Sequence, residues 1–248
     1  MDKKIKVAAV SYLNTKPLIY GFEKGQMKDE IELIFDYPAR VAAMLLNNEV
    51  DIGLIPVAVI PRMKEYYIIS DYCIGAVYPV ASVCLFSNVP IHEITEIMID
   101  YQSHSSAALL KILLKEHWHV NALLTDTKEG YQRFITGTTA GLIIGDRALQ
   151  QRMHSPYIYD LAEAWQQMTG LPFLFAAWVA NKKLPDSFKR SFNIATGEGM
   201  NHLPEIIAAN DFADYDLGIY YTRNISYRLD DRKLKAMQLF FEKISNIS

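Results

Sequence analysis

Asp51-Ile52-Gly53-Leu54-Ile55-Pro56 and Ala140-Gly141-Leu142-Ile143-Ile144-Gly145 are two versions of one pattern: an apolar run with glycine second, stopped by a turn residue. Each leads into a segment that can form a helix, Val57-Ala58-Val59 in one case and Asp146-Arg147-Ala148-Leu149 in the other. A run this short, bounded in this way, reads as a buried strand. Working outward, residues 4–10 read as strand, 15–24 as helix, 31–36 as strand, 39–48 as helix and 51–55 as strand. That alternation builds βα units on a mostly parallel sheet. A second series runs through a strand at 96–100, a helix from 105 to about 118, a strand near 121–124, a helix near 130–135 and a strand at 140–144. The two series lie roughly ninety residues apart, which fits two similar lobes, with chance likeness between common βα units as the alternative.

Two long extended segments remain. Residues 70–88 are rich in Tyr, Ile and Val with Pro79 inside, and residues 171–181 are apolar and aromatic with Pro172 near the start. They form either a two-strand hinge between lobes or two buried strands of a single sheet. The hinge reading gives an α/β, two-lobed protein with a cleft between the lobes. One lobe is residues 1–86 plus 178–248, and the other is 87–177.

The composition excludes several classes. The chain has 248 residues, half of them hydrophobic, enough for a sizeable core. A formal charge of −3 with scattered basic residues leaves no nucleic-acid face, so no nucleic-acid partner is expected. No stretch approaches the roughly 18 apolar residues of a membrane span. The apolar run after Met1-Asp2-Lys3-Lys4 is cut by Ser11, Tyr12 and Asn14, too short for a secretory core, so a cytoplasmic location is expected. Cys73 and Cys84 have no metal or redox spacing and read as buried free thiols. His117 and His119 lack a third ligand nearby and read as a surface helix end. With no dinucleotide loop, Walker loop, zinc motif or nucleophile elbow, no cofactor or metal is expected.

In open α/β sheets a ligand sits beyond the carboxyl ends of the strands, where helix N-termini present free N–H groups to an anion. Those ends are residues 11–15, which include Tyr12, Asn14 and Thr15; Pro56-Val57; Ser103-His104-Ser105-Ser106; and Gly145-Asp146. One serine of the third turn is a helix cap in any case, and the others are free to meet a ligand. Asn14-Thr15 before Lys16-Pro17 could equally be a cap. Asp146 reads as a cap, because its charge would repel an anion. Ser82 lies mid-strand among apolar neighbours and needs a polar partner. Ser87-Asn88 reads as an exposed turn.

These residues resemble one family, the chorismate dehydratases of the futalosine route to menaquinone. The matching stretches are Tyr12-Leu13-Asn14-Thr15-Lys16-Pro17-Leu18, Asp51-Ile52-Gly53-Leu54-Ile55-Pro56, Val80-Ala81-Ser82-Val83-Cys84-Leu85-Phe86-Ser87, Leu142-Ile143-Ile144-Gly145-Asp146-Arg147-Ala148-Leu149 and Trp165-Gln166-Gln167-Met168-Thr169-Gly170-Leu171-Pro172-Phe173. The resemblance implies a type II periplasmic-binding-protein-like fold turned to catalysis, with chorismate as substrate and 3-[(1-carboxyvinyl)oxy]benzoate and water as products. It assigns Asn14 and Ser82 to the reacting region and Ser105 and Ser106 to a carboxylate. Tyr12, Thr15, Pro56, His104 and Gly145 are the remaining substrate contacts expected. Members of the family often carry Arg in the serine-rich turn, where this chain has His104, a titratable group in place of a permanent cation. The sister 1,4-dihydroxy-6-naphthoate synthases usually have a Pro-Cys-Pro-Asn-Asp-like first turn, which is absent here. A non-catalytic small-anion binding protein or sensor is the other alternative.

Overall fold

A computed structural model describes residues 4–247 and distributes the strands over two sheets. The first contains β1 (Ile5–Val10), β2 (Ile31–Asp36), β3 (Ile52–Pro56), β4 (Tyr67–Ala76), β10 (Phe173–Ala180) and β11 (Ser226–Arg228), in the order β11-β4-β10-β3-β1-β2. The second contains β5 (Val83–Ser87), β6 (Glu96–Ile99), β7 (Leu123–Asp126), β8 (Thr139–Ile144) and β9 (Tyr157–Asp160), in the order β7-β6-β8-β5-β9.

The repeat seen in sequence is a repeat in space. In the first sheet β1 pairs parallel with both β2 and β3, and in the second β6 pairs parallel with both β7 and β8. Each parallel trio is then closed by an antiparallel strand, β10 against β3 and β5 against β8. Continuous apolar sequence follows from this position: β3, β5 and β10 have neighbours on both sides and are buried at every residue, whereas the edge strand β2 alternates in exposure.

Helices α1 (Lys16–Lys24), α2 (Pro38–Leu46), α3 (His104–Leu113), α4 (Asp146–Gln151) and α5 (Leu161–Thr169) follow strands within these series. After β10 come α6 (Asp186–Glu198), α7 (Leu203–Ala208), α8 (Leu217–Ile219) and α9 (Asp231–Ser245). Their limits are chemically marked: Pro17 stands in the first turn of α1, Asp160 and Asp230 cap α5 and α9, and Gly170 ends α5 with φ 72°. The C-terminal helices return to the first lobe, with α6 against α1 and β4 and α9 against β10. α9 also touches α3 of the second lobe, where Lys243 pairs with Glu116.

Several expectations need correction. Residues 70–88 are not one extended run: β4 ends at Ala76 in one sheet and β5 begins at Val83 in the other. β10 lies wholly in the first sheet, so the chain crosses between sheets at residues 77–82 and 170–172, earlier than boundaries at 86 and 178. Hydrophobicity could not reveal this, because crossing and buried strand are equally apolar. The helix near 130–135 is only a short 3-10 turn, Tyr131–Phe134, and the strand near 121–124 is Leu123–Asp126. Ser87 is fully buried, its hydroxyl accepting the Val89 N–H at 3.1 Å, rather than sitting in an exposed turn. Both cysteines are buried free thiols, and burial raises the pKa of each. Among the described residues no helix is long and apolar enough to cross a membrane.

Candidate functional site

The carboxyl ends of β1, β3, β6 and β8 meet where the lobes face each other, around a cavity of about 50 Å³. The walls are Val10, Pro38, Pro56, Ile74, Val80, Val83, Ile144, Phe175 and Ala176, and the polar groups are Tyr12, Asn14, Ser82, Ser103, Ser105, Ser106 and the Gly145 backbone. No charged side chain lines it. A few placed donors in an apolar wall are what fix a small ligand's orientation.

Each donor is held by local structure. Ser103 is the cap of α3: its Oγ accepts the Ser106 N–H at 3.1 Å and contacts the Ser106 hydroxyl at 2.8 Å. Capping thus accounts for Ser103, while Ser105 and Ser106 stand in the first turn, where backbone N–H groups have no partner within the helix. Ser105 Oγ accepts the Ala58 N–H at 3.1 Å, which leaves its own hydrogen to donate. Asn14 is buried in the turn after β1 and caps no helix; the Thr15 hydroxyl reaches its Oδ1 at 3.4 Å. Tyr12 donates its hydroxyl to Gln102, and burial raises its pKa, so it is a neutral phenol.

Ser82 is not mid-strand. It stands one residue before β5 and follows Ala81, whose φ of 63° is in the left-handed region. That conformation costs an alanine about 1 kcal/mol. It is held by Asp160, which accepts the Ala81 N–H at 2.7 Å, and by Arg152, which donates to the Ala81 carbonyl at 3.2 Å. The turn puts Ser82 on the cleft wall, where its hydroxyl has only a 3.5 Å contact with the Val80 carbonyl. Sequence reading missed Asp160 and Arg152, since their partners lie 79 and 71 positions away.

Asp146 does not cap its own helix. Its carboxylate crosses the cleft and accepts the Leu13 N–H at 3.0 and 3.3 Å. Other ties join the lobes here: Gln102 takes the Tyr12 hydroxyl and its carbonyl accepts the Ala39 N–H at 3.1 Å. Within the second lobe the Gly145 N–H donates to the Ser82 carbonyl at 2.8 Å and extends the β5–β8 ladder. Gly145 has φ 65°, and a Cβ there would lie 2.8 Å from the Tyr12 ring, so both backbone and space demand glycine. The lobes are therefore closed on each other. Behind them Arg147 binds the fully buried Asp100 carboxylate at 2.8 and 3.1 Å and Gln102 Oε1 at 2.8 Å.

Two expected contacts fall outside the cleft. Thr15 is fully buried behind Asn14, and His104 is exposed on the outer side of the α3 start, where desolvation and the Arg62 charge lower its pKa. A helix start turns successive side chains about 100° apart, so Ser105 and Ser106 can face the cleft while His104 does not. His119 ends its helix with φ 53° and is exposed. Among the described residues no group of three or more His, Cys, Asp or Glu could hold a metal ion.

Burial pushes the Asp146 carboxyl up to about 6 from 3.8, against the Leu13 N–H and the Lys16 and Arg147 charges, which lower it. The folded protein therefore holds this proton more tightly than the unfolded chain, so stability falls as pH rises through that window. Denaturant midpoints measured across pH 4 to 6 should show the decline, and Asp146→Asn should flatten it; an equal slope in the variant would assign the dependence elsewhere.

Two lobes with mixed sheets, joined by two connections and meeting over a cleft lined by neutral donors, define a periplasmic-binding-protein-like fold. The chain belongs to the menaquinone biosynthesis family, whose model matches residues 5–246. It is similar to the chorismate dehydratase of Thermus thermophilus, 25% identical with 94% of this chain and 92% of that protein covered. In fold it is similar to a structural-genomics protein from Archaeoglobus fulgidus (TM-score 0.76, 16% identity, covering 98% and 97% of the two chains). It is also similar to a Candida albicans protein described as having the generic periplasmic binding protein fold (TM-score 0.62, 14% identity, 98% and 90% covered).

Proposed function

We propose that the chain is a hydro-lyase that binds chorismate in this cleft and converts it to 3-[(1-carboxyvinyl)oxy]benzoate and water. The observation that carries the reading is the lining: neutral donors and apolar walls with no acid–base pair, in a member of the menaquinone biosynthesis family similar over nearly its whole length to a chorismate dehydratase. Loss of a ring C–H proton and of the ring hydroxyl makes the ring aromatic, so the substrate supplies the driving force. The C–H electron pair becomes ring π-bond, the C–O bond breaks, and the departing hydroxide leaves with the proton as water.

An enzyme for this reaction needs to orient its substrate and exclude bulk water. Serines 105 and 106 and the first turn of α3 bind one carboxylate, where the helix dipole and free N–H groups favour negative charge. Asn14 and Ser82, both on the cavity wall, position the enolpyruvyl carboxylate and the leaving hydroxyl. That substrate carboxylate takes the ring proton and hands it to the departing hydroxide, which leaves as water, so the site needs no protein base. Tyr12, Pro56 and Gly145 shape the remaining wall.

Incubation of the purified protein with chorismate, followed by chromatography, tests this. The expected result is an aromatic product with the mass of chorismate less one water. Calorimetric binding of chorismate without conversion would instead establish an anion-binding protein.

A further inference from the structure

The segment that follows α8 holds both halves of the reacting region. It comprises the π-helical turn Tyr220–Asn224 and the strand β11. Tyr227 donates its hydroxyl to the Asn14 carbonyl at 3.0 Å. Asn224 Nδ2 donates to the Pro79 carbonyl at 2.8 Å, three residues before Ser82 on the crossing that carries it. The same segment begins with Tyr220. Its ring is completely buried, and its hydroxyl lies against the Ser82 and Asn14 side chains without a well-aligned hydrogen bond to either.

A buried hydroxyl without a partner costs a protein about 1–3 kcal/mol. Phenylalanine would fill the same space without that cost, so stability alone does not explain a tyrosine here. The two groups it faces are the least restrained polar groups of the site: Asn14 has a 3.4 Å contact with Thr15, and Ser82 a 3.5 Å contact with Val80. A phenol can donate one hydrogen bond and accept another, so a single hydroxyl can fix both. Tyr220 does not line the cleft, so it acts through these neighbours and not on the substrate. We infer that Tyr220 is a positioning residue, whose hydroxyl donates to Asn14 Oδ1 and accepts from the Ser82 hydroxyl as the substrate docks. This turns the Asn14 amide hydrogens toward the cleft.

Tyr221 is the natural control. Its hydroxyl is also buried and unpartnered, but the polar group it senses is Asp146, not Asn14 or Ser82. Tyr220→Phe and Tyr221→Phe each remove one oxygen, and thermal melts of both should be unchanged or slightly raised. With chorismate, Tyr220→Phe should lose about tenfold or more in kcat with KM within about threefold, the signature of a lost orienting contact. Tyr221→Phe should retain wild-type kcat. This turnover arm rests on the dehydratase reading, whose failure would show as an inactive wild-type protein.

A second arm needs chorismate only to bind, not to react. In protein labelled with isotopic nitrogen at asparagine and saturated with chorismate, the Asn14 side-chain amide signals, assigned by their loss in Asn14→Ala, should shift in Tyr220→Phe and stay in place in Tyr221→Phe. Unmoved signals in Tyr220→Phe overturn the inference whether or not chorismate is turned over. If wild type is active, unchanged kcat in Tyr220→Phe or an equal loss in both variants also overturns it.

Discussion

Asn14→Ala should lower turnover of chorismate by about 10²–10³-fold, the loss typical when one donor aimed at developing charge is removed, and should leave the protein almost as stable as before. The stability half of this result follows from what the side chain does in the folded protein. Asn14 caps neither the 3-10 turn Leu13–Thr15 nor α1, and among the described residues its side chain has a 3.4 Å contact from Thr15 and the Tyr220 hydroxyl beside it. The backbone tie that matters, Tyr227 to the Asn14 carbonyl, survives the substitution. A loss under about 1 kcal/mol is expected, and at about 2–4 °C per kcal/mol the melting temperature moves by a few degrees at most. Steady-state kinetics and a thermal melt on the same preparation check both halves. A large fall in melting temperature with turnover intact would mean that Asn14 is structural.

Arg147→Met shows the opposite balance. The Asp100 side chain is wholly buried, and Arg147 is its only cationic partner among the described ion pairs. Removing one member of a buried pair strands the other charge, which costs about 3–5 kcal/mol. The Tyr131 hydroxyl and the Gln102 N–H still reach Asp100, both at 2.9 Å, and keep the loss toward the lower end of that range. At about 2–4 °C per kcal/mol the melting temperature should fall by about 6–20 °C. The same guanidinium holds Gln102, which receives the Tyr12 hydroxyl across the cleft, so the lobes should also close less firmly. Adding Asp100→Asn should recover part of the loss, because the stranded charge is then gone. Melts of the single and double variants decide the matter: a single variant within about 1 kcal/mol of wild type would show that Asp100 is not dependent on Arg147.

The two variants divide the cleft into parts of different legibility. Asn14, Pro56, Ser105, Ser106 and Gly145 could be found from sequence because each follows directly from a strand end, and strand ends are local facts of hydrophobic pattern and turn chemistry. Ser103 as the cap of α3 is local in the same sense. Thr15 is suggested by adjacency to Asn14, and His104 by standing where the family often carries Arg. Neighbours in a turn share a place in the chain but not a direction, and these two side chains face away from the cleft. Asp146 reads as a cap in sequence because an acid after a glycine at a helix start usually is one, but it makes no cap hydrogen bond. Its true partner, the Leu13 N–H, is 133 positions away.

What the sequence determined by itself was the pair of βα series, their repetition, the cleft between them and the donors at its strand ends. These rest on periodicities of a few residues, and the apolar content of each run decides strand or helix before any distant contact forms. The tertiary structure alone decided where the chain crosses between sheets, that the lobes meet in a closed state, and that Tyr220, Asn224 and Tyr227 support Asn14 and Ser82. Those contacts join residues up to 213 positions apart. Nothing in the local pattern distinguishes Tyr220 from any other core aromatic, because only the return of the C-terminal segment to the first lobe brings its hydroxyl to the site.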